Sequence, residues 1–198
     1  MRATTIVLCA AALFSGCVTE ERDLGSAGRT ELVPVDDSPP PLAAQEEKLK
    51  EAVEDASDDP RDQARVWYAL ADFYERTMRY PDAAQAYTQM QLNIQKLPDG
   101  TKYTAGHYHL GRVYALMKSY PQAVEHLRAV LQLEPKERQQ AALYDHFREA
   151  HYLLGVVYYN SHQWDAAQEH LVAFKELGGE PERADTLLMN ISYEKKGS

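Results

Sequence analysis

Cys17 is the residue whose sequence context most clearly suggests chemistry. It could be a structural residue of the fold or the point at which the chain is attached to a membrane. Two small residues, 15–16, stand directly before it, and residues 6–14 before them are almost wholly apolar. Arg2 gives the chain a basic start. This order is typical of a secretory signal peptide, and the apolar run is far shorter than the ~20 residues of a membrane-spanning helix. We therefore predict that residues 1–16 are a signal peptide.

The stretch "LFSGC" that ends at Cys17 resembles the bacterial lipobox. In lipoproteins of that kind the thiol is diacylated, the signal is cut before the cysteine, and the new amino group is acylated. The resemblance implies that Cys17 carries lipid, and two or more acyl chains are enough for stable anchoring. Val18 stands where an aspartate would imply retention in the inner membrane, so an outer-membrane lipoprotein facing the periplasm is expected in a Gram-negative host. The alternative is an ordinary signal peptide with a chance cysteine.

The remaining candidates for chemistry do not assemble into a recognisable reactive site. The other cysteine, Cys9, leaves with the signal peptide, so we expect a mature chain without a free thiol or a disulfide. The seven histidines show no zinc-protease spacing and lack a mature cysteine to complete a metal set. Nucleophile elbows, phosphate loops and dinucleotide fingerprints are missing from the sequence. We predict a protein that is not an enzyme and that needs no cofactor and no metal, with packing or groove roles for the histidines.

Charge and composition divide the chain into an anchor region and a folded domain. The formal net charge is −9, which disfavours nucleic acid and anionic lipid headgroups as partners. Residues 17–42, after the signal, contain charged residues, Gly, Ser and three consecutive prolines, 39–41, without helical or strand period. This composition predicts a lipidated cysteine followed by a flexible tether with an end-to-end distance of roughly 25–30 Å. The folded domain should then span residues 43–198.

Apolar residues of this domain recur at helical spacing throughout, which predicts an all-α fold. Glycines and prolines mark breaks between segments. The predicted helices cover residues 43–57, 61–78, 81–97, 102–117, 120–133, 136–160, 164–176 and 182–195.

Six positions of the sequence repeat three times with the same internal spacing. The first set is Leu70, Tyr74, Tyr80, Ala83, Tyr87 and Met90. A shift of 40 residues gives Leu110, Tyr114, Tyr120, Ala123, Leu127 and Val130, and a further 44 gives Leu154, Tyr158, Trp164, Ala167, Leu171 and Phe174. A helical hairpin that cannot cover its own apolar face explains such a repeat, because neighbouring hairpins must then stack.

The motifs "WYALADFY", "HYHLGRVY" and "HYLLGVVY" are similar to the first helix of a tetratricopeptide repeat. The resemblance covers residues 64–180, with repeat spacings of 40 and 44 residues in place of the family's 34. It implies a solenoid of about three helical hairpins. Residues 43–57 then resemble the second helix of a leading half-repeat, and residues 182–195 resemble a closing cap, with Ala184, Leu187, Leu188 and Ile191 facing inward.

The family binds peptides or partner helices in a concave groove lined by the first helix of each repeat. Carried onto this sequence, the groove residues are Tyr68, Asp72, Glu75, Tyr108, Arg112, Ala115, Tyr152, Val156 and Tyr159. Tyr68, Tyr108 and Tyr152 hold one equivalent position and would form a ladder that contributes more to binding than to stability. The alternative is that these rings pack against the next repeat. The extension at residues 136–147 has two readings as well, one that covers the second repeat and one that projects as a partner surface.

Together these features favour an outer-membrane lipoprotein that acts as a protein-interaction scaffold or assembly factor. The resemblance is to the class that contains secretin pilotins and the helical-repeat lipoprotein of the β-barrel assembly machinery. Expected partners are other envelope proteins or peptides, with membrane contact through the N-terminal lipid alone, and with neither nucleic acid nor a small-molecule substrate. An adaptor that regulates cell-wall enzymes is an alternative, and a lipoprotein enzyme is a less favoured one.

Overall fold

The computed structural model describes residues 41–98, 104–132 and 141–197. The predicted signal peptide, Cys17 and nearly all of the predicted tether lie outside these described residues. Within them the chain forms eight helices and no strand, which confirms the predicted all-α class. The helices are α1 (Leu42–Glu54), α2 (Pro60–Arg76), α3 (Tyr80–Gln95), α4 (Ala105–Leu116), α5 (Tyr120–Leu131), α6 (Ala141–Asn160), α7 (Trp164–Glu176) and α8 (Pro181–Gly197).

The predicted start of α6 at residue 136 lies outside the described residues. The other predicted helix boundaries agree with the structure to within two residues, except that α4 begins at Ala105, three residues after its predicted start, and that α1 ends early. That helix stops at Glu54 and not at residue 57, so the predicted extension is wrong. Polar side chains hold the following residues in a turn: Gln63 donates to the carbonyl of Ser57, and Asp59 accepts from the backbone N–H of Arg61. Asp59 is thereby the N-cap of α2, and short polar side chains at that position favour a helix start over a continuing helix.

Helices α2 and α3, α4 and α5, and α6 and α7 form three helical hairpins, here called hairpins one, two and three. Their turns share one backbone geometry, with a residue in the left-handed region at equivalent positions: Met78, Lys118 and His162, with φ of 61°, 59° and 57°. The residue after each donates its N–H to the carbonyl five positions back at 2.8–2.9 Å, the acceptors being Tyr74, Tyr114 and Tyr158. This Schellman pattern satisfies the last carbonyls of the first helix and reverses the chain within three residues.

Four of the six repeated positions are buried in all three hairpins and form the core of the domain, whereas Tyr80, Tyr120 and Trp164 at the turns are half-buried. Leu70, Leu110 and Leu154 are buried, as are Ala83, Ala123 and Ala167 on the second helix of each hairpin. Two buried clusters result, one built from hairpin one with part of α4, and one built from α5, hairpin three and α8. Burial of the six-position set therefore follows the internal repeat.

Glycine sets the distance between the helices of hairpins two and three. A Cβ added at Gly111 would lie 2.6 Å from Leu127 Cγ, and one added at Gly155 would lie 2.6 Å from Leu171 Cγ. Both leucines are fully buried. The helices of each hairpin approach so closely that a methyl group does not fit without movement.

The two terminal helices pack on the ends of this arrangement. Helix α1 packs through Leu49 and Val53 onto hairpin one, and its Glu46 accepts a hydrogen bond from Arg79 at 2.6 Å. Helix α8 buries Ala184 and Ile191, with Leu187 and Leu188 packed against the same core, as predicted. Within the described residues, no helix has both the length and the hydrophobicity to cross a membrane.

Candidate partner-binding surface

Side chains connect the first helices of the three hairpins, α2, α4 and α6, and the terminal helix α8 into a row. We call the surface formed by these connecting side chains the A-helix face, with α8 as its last member. All of the predicted groove residues lie on α2, α4 or α6. The three junctions along the row differ in how they are held together.

The junction between α2 and α4 is an ion pair with aromatic neighbours. Arg112 Nη2 donates to Glu75 Oε2 at 2.8 Å, and the hydroxyl of Tyr87 donates to the same oxygen at 3.0 Å. His109 stacks on Tyr87, with ring centroids 4.8 Å apart and planes 9° from parallel. Tyr68 lies edge-on to His109 at 5.3 Å. Three of the predicted groove residues, Tyr68, Glu75 and Arg112, therefore come together here.

Burial and the neighbouring Arg112 guanidinium lower the pKa of His109 to about 3. The ring is neutral at every physiological pH, and its Nδ1, 3.3 Å from Arg112 Nη2, acts as the acceptor. Burial also raises the pKa of Tyr87, so its hydroxyl remains a donor. The junction thus pairs the Glu75 carboxylate with the Arg112 guanidinium.

The junction between α4 and α6 is a stack of two rings. Tyr108 lies over His146, with centroids 4.5 Å apart and planes at 16°. Burial raises the pKa of Tyr108 and lowers that of His146, so both rings are neutral at pH 7. Arg112 Nε and His146 Nδ1 are buried here without a hydrogen-bond partner among the described residues. This junction therefore keeps unused hydrogen-bonding capacity beneath the tyrosine.

The junction between α6 and α8 depends on Arg183. Its two terminal nitrogens donate to the two carboxylate oxygens of Glu149, at 3.1 Å and 2.9 Å. The guanidinium carbon also lies 4.0 Å from the ring centre of Tyr152 and 5.2 Å from that of Phe174. A planar cation on an aromatic face with a bidentate carboxylate is a stable combination when it is partly shielded from water.

The predicted tyrosine ladder is graded and not uniform. Tyr68 is 40 % exposed, whereas Tyr108 and Tyr152 are half-buried under side chains of the following helix, His146 and Arg183. The three rings keep equivalent positions, but only the first presents a largely open side chain.

The other predicted groove residues have varied roles. Asp72 forms an ion pair with Arg76 at 2.9 Å, one turn along the same helix. Tyr159 packs edge-on against Trp164 at 5.4 Å, near the turn of hairpin three. Val156 and Ala115 are half-buried. Tyr159 is therefore part of the packing at the turn, away from the junctions.

Sequence reasoning did not assign His109, His146 or Arg183 to this surface. The sequence predicted only a packing or groove role for His109, as for the other histidines. Its position directly after Tyr108 is the signal that could have assigned it to this surface. His146 belongs to the extension at residues 136–147. Its ring packs against Tyr108 on α4, and the neighbouring Phe147 is buried. The side chains of Ala142, Leu143 and Tyr144 are not among those that the structure describes. For these residues, packing on the second repeat and projection as a partner surface both remain predictions.

A scan of the chain against models of known protein families finds no match, and a search of curated proteins finds none either. Among the described residues, no group of three or more His, Cys, Asp or Glu side chains is placed to hold a metal ion.

Proposed function

We propose that this chain is a lipid-anchored scaffold that binds other envelope proteins on its A-helix face, within a tetratricopeptide-like solenoid. The lipid at Cys17 keeps the domain at the outer membrane, and the partner is held on the periplasmic side. Neither a cofactor nor a catalytic group takes part in this function.

Three internal similarities support a solenoid of the tetratricopeptide type. The hairpins bury the same positions, reverse through the same Schellman turn, and pack their second helix on the first helix of the next hairpin. A hairpin that leaves one face uncovered is stabilised by its neighbours, and the partly polar α8 closes the array.

The observation that carries the binding proposal is the setting of Tyr68. Its ring is 40 % exposed, yet it lies against His109, whose position is fixed by the stack on Tyr87 and by Arg112. An aromatic ring beside an ordered surface loses little conformational entropy when a partner covers it. Glu75 and Arg112 next to it supply one charge of each sign that can orient a partner.

A photo-crosslinking residue at position 68 in intact cells tests the surface. Leu92 on α3 is a matched control, because it is 47 % exposed and lies on a second helix, away from the A-helix face. We expect one envelope protein to crosslink from position 68 and not from position 92. Equal labelling from both positions would mean that the A-helix face is not the binding surface.

Fatty-acid labelling of the wild-type chain and of Cys17→Ala tests the anchor. The label should be present in the wild type and lost in the variant, and the variant should leave the membrane fraction. Label retained in Cys17→Ala would contradict the lipobox assignment.

The identity of the crosslinked partner separates the two scaffold hypotheses. A secretin or a barrel-assembly component favours an assembly factor, whereas a cell-wall hydrolase favours an adaptor that regulates such enzymes. Both hypotheses use the same surface.

A further inference from the structure

Two histidine pairs connect the helices of hairpins two and three. His107 on α4 and His126 on α5 have their Nδ1 atoms 3.0 Å apart. His151 on α6 and His170 on α7 have the same separation, 3.0 Å, between the same atoms. Each pair also has a tyrosine stacked on its second ring: Tyr114 on His126 and Tyr158 on His170, at 5.5 and 5.6 Å.

The pairs occupy equivalent positions in the repeat, and hairpin one lacks them. A shift of 44 residues carries the first pair onto the second, whereas a shift of 40 in the other direction reaches Trp67 and Ala86. Hairpin one therefore fills the same place with a large apolar ring and a methyl group. This difference provides a control within the same molecule.

The ring geometry is that of a hydrogen bond and not of a metal chelate. The ring centroids are 5.2 Å apart in the first pair and 5.1 Å apart in the second. These distances exceed the Nδ1–Nδ1 distances by about 2 Å, which is about the sum of the two ring radii. The two nitrogens of each pair therefore point at each other. A shared metal ion would require both lone pairs to turn towards a common point beside that line.

Such a bond limits how many protons the pair can hold. A neutral pair has one Nδ1–H donor and one Nδ1 acceptor. One added proton can sit on Nε2 of the donor ring, which makes the bond charge-assisted. A second added proton must occupy the accepting Nδ1, so the bond is lost and two like charges face each other across the hairpin.

Charged groups on the second helices act on the rings of both pairs. On the second helices, Glu125 acts on His107 and His126, and Glu169 acts on His170. Arg128 on α5 also acts on His170, and it donates to the hydroxyl of Tyr158 at 2.9 Å.

Charged side chains of the other helices packed around the pairs have partners of their own. At the end of α3, its C-cap residue Lys96 donates to Asn93, and on α6, Glu149 binds Arg183. Next to α7, the α8 residues Lys195 and Asp185 pair with Asp165 and Lys175. Glu125 and Glu169 favour a first proton on their pair, and Arg128 opposes protonation of His170.

We propose that the two histidine pairs are proton-sensitive contacts that hold hairpins two and three closed at neutral pH and release them in acid, while hairpin one stays closed. The array then opens from its C-terminal part, and the half of the A-helix face that contains Tyr108 and Tyr152 loses its order before the half that contains Tyr68.

The direction of the pH effect agrees with the burial of the rings. Burial lowers the pKa of His107, His126 and His170 below the 6.5 of an imidazole in water. The folded chain therefore binds fewer protons than the unfolded chain below that pH. The stability supplied by the pairs is complete above about pH 6.5 and decreases as the pH falls towards the folded-state pKa values.

An NMR titration of the histidine ring protons in the full chain is the direct test. Each pair should titrate in two separated steps, and the second step should coincide with the loss of native signals from hairpins two and three. Signals of hairpin one should persist beyond that step. Titration of all four rings in single steps near pH 6.5, with the fold unchanged, would overturn the proposal.

Exchange variants provide the second test. His107→Trp with His126→Ala, and His151→Trp with His170→Ala, copy the pattern of hairpin one. We expect each exchange to reduce the difference in Tm between about pH 7.5 and about pH 5.0, and the combined variant to reduce it further. The difference that remains is expected from the buried His109 and His146, whose pKa values burial also lowers. The control His162→Asn removes an exposed imidazole at a left-handed residue that Asn tolerates, so it should keep the wild-type difference.

An unchanged pH dependence in the folded exchange variants would overturn the proposal. If an exchange variant does not fold, the titration of the wild-type chain still decides, because it needs no substitution.

Discussion

Hairpin one and the two hairpins that follow it fill equivalent positions with different chemistry. In hairpin one, this pair of positions holds Ala71 on α2 and Tyr87 on α3, and both residues are buried. In hairpins two and three the same places hold glycine and leucine, with Gly111 against Leu127 as one example. The helices approach in all three hairpins, but a planar ring leaves space for a methyl group where a branched side chain does not.

The polar contacts differ along the same division. In hairpin one, Tyr87 on α3 uses its hydroxyl to bind Glu75 on α2, and Glu75 also binds Arg112 of the next hairpin. Hairpins two and three connect their own two helices through histidine pairs, at positions where hairpin one has Trp67 and Ala86. The position in the repeat therefore determines burial, whereas the side chain at that position determines which helices it connects.

The largest expected effect comes from the buried leucines of hairpins two and three. Leu127→Ala and Leu171→Ala each remove side-chain volume from a fully buried site and should lower the free energy of unfolding by ~2–5 kcal/mol. Chemical denaturation measures the loss. Losses below about 1 kcal/mol at both sites would mean that the cores of these hairpins can collapse around the missing groups.

Replacing the glycines opposite these leucines by alanine should destabilise the protein, although alanine is normally the better helix former. Gly111→Ala adds a Cβ 2.6 Å from Leu127 Cγ, so it should cost ~1–3 kcal/mol of stability. In an open helix the same change would stabilise by about 1 kcal/mol. In a Leu127→Ala background the cost should largely disappear, because the obstructing atoms are gone. A cost that stays the same in that double-mutant cycle would locate the strain elsewhere.

The tyrosines of the ladder should differ from one another in stability. Tyr108→Ala removes a half-buried ring stacked on His146 and should cost ~1–2 kcal/mol, whereas Tyr68→Ala removes an exposed ring and should cost less than about 1 kcal/mol. Tyr108→Phe keeps the stack and serves as the control. Thermal unfolding of the three variants checks the order. Equal losses for Tyr68→Ala and Tyr108→Ala would remove the distinction between the two halves of the A-helix face.

The smallest effect is expected at the hairpin turns. Lys118 has a φ of 59°, and a left-handed conformation costs an L-residue roughly 1–2 kcal/mol. Lys118→Gly should raise stability by ~0.5–1 kcal/mol, since the entropy of the unfolded glycine offsets part of the gain. His162→Gly should gain less, because it also removes a ring that lies 5.0 Å from Trp164. A lower Tm for Lys118→Gly would contradict the assigned turn geometry.

Much of the fold follows from local pattern. The start of α2 follows from Asp59 and Pro60, and the cap helix from the spacing of Ala184, Leu188 and Ile191. These features depend on residues a few positions apart, which the sequence displays directly. The end of α1 was missed because Gln63, six residues further on, captures the backbone of Ser57.

The candidate surface was predictable only in part. The positions of Tyr68, Tyr108 and Tyr152 follow from the repeat, and all three lie on first helices. Their unequal exposure does not, since it depends on which side chain of the next helix reaches back. His146 stands 38 positions after Tyr108, and Arg183 stands 31 after Tyr152, in segments where the repeat gives no equivalent residue.

The sequence by itself determined the helices, the hairpin turns and the buried positions, because helical period and internal repetition act over short distances along the chain. The tertiary structure decided the pairing of His107 with His126, the sharing of Glu75 between Tyr87 and Arg112, and the covering of Tyr108 by His146. Each of these contacts joins different helices, and its formation depends on the angle and distance at which the helices pack. Those quantities are fixed by side-chain volumes at the interface, which periodicity does not encode.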